Sequence, residues 1–194
     1  MEEIKKIAEK YYGDIPYHNF KHALKVFENC KFYIERCKKY KIEVNSDVVL
    51  IAALFHDAGF HEKTDYKTKE RYSISIVEKE LKKLGYSDSF IKEVGNCILA
   101  TEPYGNFEKT EQKILRAADL KGLMSSYDNF EKQTKLIRQE YSILHPGKDF
   151  PLKKWAELLK PYASRTIKLT PEFHKDDWHR KFEENLKRYL KENS

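Results

Sequence analysis

Apolar positions along the chain recur at helical spacing, and no stretch shows the two-residue alternation of a strand followed by a hairpin turn. The pattern predicts helices over about 2–11, 17–40, 47–58, 67–84, 88–101, 110–125, 127–143 and 172–191. The last starts after Thr170 with Pro171 in its first turn, and Trp178, Phe182, Leu186, Tyr189 and Leu190 follow as one apolar stripe. Breaks fall at Gly85, at EPYGN (102–106) and at HPGKDFP (145–151). The least regular segment, 145–170, carries Pro146, Gly147, Pro151 and Pro161, and reads as a lid or capping loop rather than a linker. No repeat or low-complexity tract occurs. The expected fold is all-α: a compact helical bundle, one domain over 1–194, built around the apolar helix Val48–Phe55.

That central run, VVLIAALF, ends in a base and a carboxylate, His56 and Asp57. A carboxylate taken out of water costs several kcal/mol, on the order of what a buried ion loses in hydration, unless something compensates it. A His-Asp pair alone arises readily by chance, so its setting matters more than its presence. Two further stretches share that setting. In YHNFKHA (17–23), His18 and His22 are four residues apart, and a helix there puts both on one face. In ILRAADLKGL, Asp119 interrupts a run of small and apolar residues. Taken singly, each reads as structural. Together they are imidazoles and carboxylates set into apolar helices, the donor types of a borderline divalent cation, and such an ion compensates Asp57 and Asp119.

Composition narrows the setting. Forty per cent of residues are hydrophobic and 35% charged, and no 18-residue apolar run exists to span a membrane. The start, MEEIKKIAEKYY, lacks the apolar stretch of a signal peptide, and three cysteines (Cys30, Cys37, Cys97) without a CxxC pair read as reduced thiols. A cytoplasmic protein is expected. Net charge is +6, but the basic residues are scattered among glutamates, which suits a phosphate-bearing small molecule better than nucleic acid. No GxSxG, P-loop or GxGxxG occurs.

The order His22, His56-Asp57, Asp119 resembles the H…HD…D pattern of the HD-domain superfamily of metal-dependent phosphohydrolases, over roughly residues 15–145. On this resemblance 146–194 is a C-terminal loop and helix completing the bundle. The stretches YHNxxHA, FHDAGF, ILAT (98–101) and AADL look like a bacterial subgroup of predicted phosphohydrolases, as do the ExxS of Glu70 to Ser73 and IRQEY (137–141). The resemblance implies one divalent ion (manganese, iron, nickel, cobalt, zinc or magnesium) held by His22, His56, Asp57 and Asp119. It also implies hydrolysis of a small phosphorylated compound, a nucleotide by expectation. Asp57 would then orient the attacking water, and His18 is similar to the general acid of cyclic-nucleotide phosphodiesterases, with a capping role as its alternative. The class of phosphate bond and the oligomeric state, homodimer included, stay open.

Departures from relatives narrow this further. The HDxxED signature of guanosine-tetraphosphate hydrolases is absent, and Phe60 stands where the deoxynucleotidase group has glutamate. Dinuclear members carry further histidines between HD and the last aspartate; here only His61 does, so one metal is expected. Lys21, Arg71 and Lys121 are the candidates for binding phosphate, each with a plain surface charge as its alternative. His174 and His179 flank Asp176-Asp177, but a spacing of five takes them off a common face and no second site is expected there. The competing reading is a nucleotide-sensing or partner-binding module that keeps the fold without turnover.

Overall fold

The computed structural model describes residues 1–60, 69–167 and 178–193, and every regular element among them is helical. The chain divides into two compact units, Met1–Asp119 and Leu120–Ser194. The first contains α1 (Glu2–Glu9), α2 (Phe20–Lys39), α3 (Ser46–Phe55), α4 (Lys69–Lys83) and α5 (Asp88–Leu99), and α6 (Thr110–Leu120) closes it. The second contains a 3-10 turn (Lys121–Met124), α7 (Tyr127–Leu144), α8 (Leu152–Ile167) and α9 (Trp178–Glu192). Among the described residues no helix is long and apolar enough to cross a membrane.

The helix ends follow local chemistry. Asn19, Asn45 and Ser87 each accept a hydrogen bond from the amide three residues on, at His22, Val48 and Phe90, and so start α2, α3 and α5. At the other end of α4 the Tyr86 amide donates to Leu81 and that of Gly85 to Lys82. This double turn needs a left-handed residue, and Gly85 supplies it at φ 78°. The α3 helix is apolar on every side, so it can only be interior. It packs against α2 and α5. Of Val48–Phe55 all but Leu50 are buried.

Two expectations change. The segment expected to be a loop contains a helix, since α8 occupies Leu152–Ile167. Leu152, Trp155, Ala156 and Leu159 repeat at helical spacing, with Ala156 and Leu159 buried, and this amphipathic face carries the helix through Pro161 despite the hydrogen bond a proline forfeits. The helix predicted from residue 17 starts instead at Phe20, because the Asn19 side chain caps it and holds the carbonyl of Ile15 at 2.7 Å. In α9, Phe182, Leu186 and Tyr189 are buried as the stripe requires. Its predicted start at Thr170–Pro171 lies outside the described residues, as do His61, His174 and Asp176-Asp177.

Candidate metal centre

Three helices of the first unit deliver polar side chains to one point. His22 comes from the first turn of α2, His56 is the C-cap of α3 with Asp57 one residue beyond, and Asp119 sits in the last turn of α6. One ligand atom each from His22, His56 and Asp119 lies within 4.8 Å of the others. The Nε2 of His22 is 3.2 Å from Oδ1 of Asp119 and 3.6 Å from Oδ2 of Asp57. The Nε2 of His56 is 2.9 Å from Oδ2 of Asp57 and 3.6 Å from Oδ1 of Asp119. Asp57 borders this group, its Oδ2 facing both imidazoles. His56 and Asp57 are almost sealed, and Asp119 is the most exposed of the four, with 16% of its side chain open.

The tautomer of His56 is set by its backbone neighbour. Its Nδ1 lies 2.9 Å from the Ala53 carbonyl, which can only accept, so Nδ1 carries the hydrogen. Its Nε2 is buried and makes no aligned hydrogen bond, although two carboxylates face it. A lone pair aimed at two carboxylates is repelled unless positive charge stands between them. Without an ion that charge is a proton: burial pushes the His56 imidazole down, but the Asp57 and Asp119 carboxylates overcome this and hold it at about 10. Burial lowers His22 below its ordinary value against the pull of Asp119, favouring the neutral, ligating form. Asp57 and Asp119 are both held below the usual carboxylate range. Burial opposes this, and the neighbouring cationic groups outweigh it. Neutral imidazole, carboxylates and an orphaned Nε2 with its Nδ1–H on a backbone carbonyl fit a divalent cation.

The turn after α3 is clamped. Ser73 Oγ accepts from the Gly59 amide at 2.8 Å and donates to the His56 carbonyl at 2.9 Å. A Cβ on Gly59 would lie 2.4 Å from the Lys69 carbonyl oxygen, so only glycine lets α4 come this close. The Tyr12 hydroxyl donates to the Leu54 carbonyl at 2.9 Å, one turn from the pair.

His18 takes a different place from the expected one. It precedes the cap of α2 and shares no helical face with His22. It still borders the centre: its ring is 4.3 Å from Phe60 and 6.0 Å from His22, and its charge helps lower Asp57. Lys21 is exposed in the first turn of α2, Arg71 is exposed on α4, and Lys121 opens the 3-10 turn of the second unit. A residue that the sequence pattern does not single out stands closer. Lys69 places Nζ 2.8 Å from Oδ1 of Asp57 and 3.0 Å from Oε1 of the buried Glu70. Its neighbour Glu70 in the ExxS stretch is the nearest signal, but nothing separates this lysine in sequence from 36 other basic residues (37 in all, less itself).

No protein-family model matches the chain. Over 114 residues it is 30% identical to a protein of Plasmodium yoelii described as cGMP-specific 3',5'-cyclic phosphodiesterase gamma. The match takes in 55% of this chain, which spans 14% of the length of that protein.

Proposed function

We propose that this chain is a metal-dependent phosphohydrolase of the HD-domain superfamily, acting on a small phosphorylated compound, a nucleotide by preference. The reading is carried by the orphaned Nε2 of His56, which faces Asp57 and Asp119 beside the Nε2 of His22. The partial likeness to a cyclic-nucleotide phosphodiesterase supports it. His22, His56, Asp57 and Asp119 would hold one divalent ion. Such an ion lowers the pKa of water and neutralises phosphoryl charge.

The side chains divide the remaining work. Asp57, fixed at both oxygens, orients the nucleophile's proton, while the partly open Asp119 marks the side from which substrate enters. His18, a ring's width from His22 but outside the ligand group, protonates the leaving oxygen, a step worth roughly 10²–10⁴-fold. Lys21 and Arg71 of the first unit remain the proposed phosphate contacts. Three buried thiols, Cys30, Cys37 and Cys97, suit a reducing compartment, and we place the protein in the cytoplasm.

The test is a screen of purified protein against nucleotide mono-, di-, tri- and cyclic phosphates with each metal, repeated for variants. Turnover should require metal and fall about 10³-fold or more in Asp57→Asn and His22→Ala, which also lose metal. His18→Ala should keep metal and slow turnover, least for substrates with good leaving groups. Tight binding of one nucleotide by metal-loaded protein, with no product after long incubation, would replace this reading by that of a sensing module.

A further inference from the structure

The two oxygens of Asp57 face different charges. Oδ2 looks at Nε2 of His56 and of His22, at 2.9 and 3.6 Å, where the ion would sit. Oδ1 is held at 2.8 Å by the ammonium of Lys69, itself 3.0 Å from Glu70. The backbone that carries the lysine is anchored, because its carbonyl lies close to Gly59 and the next turn of α4 is tied through Ser73 to Gly59 and His56. A metal ion chelated by both oxygens, or a second ion bridged through Oδ1, would have to displace that ammonium or stand against its charge.

We propose that Lys69 is a positioning residue that keeps Oδ1 of Asp57 out of the coordination sphere, so that Asp57 offers Oδ2 alone and the centre takes a single cation. The inference rests on the metal-centre reading above. Its physical basis is like-charge repulsion at short range inside a largely buried site, where water screens poorly. The same charge balances Asp57 while the ion is away, so Lys69 also restrains affinity. Lysine suits this task as a compact point charge on one oxygen.

Cobalt(II) titration of the purified full chain tests it through visible absorption, affinity and stoichiometry, without reference to activity. Wild type should bind one ion per chain. Lys69→Met and Lys69→Gln should bind cobalt roughly tenfold more tightly or better, since a like charge is gone, and their visible band should change as Oδ1 joins the ion. Lys69→Arg should keep the wild-type band and affinity, because the guanidinium restores the charge beside Oδ1. If Lys69→Met fails to fold, Lys69→Gln carries the comparison. Unchanged or weaker binding with an unchanged band in the neutral variants overturns the proposal, as does an arginine variant that behaves like the methionine one. Wild type that takes up no cobalt sinks the metal centre itself, whereas wild-type binding with either overturning result sinks only the role of Lys69.

Discussion

Arg116 and His56 are both sealed in the first unit, and their surroundings differ in kind. The guanidinium of Arg116 donates to the carbonyls of Ala100, Glu102 and Pro103 at 2.6, 2.7 and 3.2 Å, and lies 4.8 Å over the Phe107 ring. Those carbonyls follow the end of α5, so the side chain caps a helix and shapes the turn after it. His56 has one satisfied nitrogen and one orphaned nitrogen facing carboxylates. Burial of a charge is therefore no mark of a site by itself. The mark, seen at His56, is a buried nitrogen that faces two carboxylates without an aligned hydrogen bond.

The sharpest way to break this contrast is to remove Arg116. Arg116→Met leaves buried carbonyls without donors, and stability should fall by about 3 kcal/mol or more. The loss should be equal in chelator and in metal, read by urea denaturation. A loss seen only with metal would make Arg116 part of the centre.

Asp119→Asn should do the reverse. Wild type with metal at a hundredfold its Kd gains about 2.7 kcal/mol from binding. The variant should lose that gain while keeping most of its stability in chelator. The pH dependence of chelated wild type sharpens the point. His56 is raised from 6.5 to about 10, so its contribution is complete below pH 6.5 and fades as pH climbs towards 10. Asp57 and Asp119 are lowered, so theirs is present above pH 3.8 and fades as pH falls below it. Metal displaces the proton from His56 and should remove the alkaline limb. Thermal unfolding from about pH 3 to 10, with and without metal, reads both limbs, and an alkaline limb unmoved by metal counts against His56 as a ligand.

The smallest effects belong to the exposed bases. Lys21→Ala and Arg71→Ala should each shift stability by no more than about 0.5 kcal/mol. A rise in KM without loss of metal would assign either residue to substrate, and unchanged kinetics would leave it a surface charge.

Much of the fold and of the candidate site is legible in the sequence because its causes are local. Helical periodicity and caps such as Asn45, Ser87 and Gly85 depend on neighbours a few residues away. His22, His56, Asp57 and Asp119 stand out as polar residues set in apolar stretches, a signal each segment carries alone. Where a local contest is close, the sequence pattern misleads. Asn19 stops α2 short of His18, and the apolar face of α8 prevails over Pro161.

Direction is a property of the packed molecule. The approach of α6 brings Asp119 against His22 and His56, and the packing of α4 on Gly59 selects Lys69 from all the basic residues to sit on Asp57. Sequence spacing determines which side chains share a helix face. Which atom of a side chain meets which charge depends on elements distant along the chain, whose approach is fixed only when their surfaces close together.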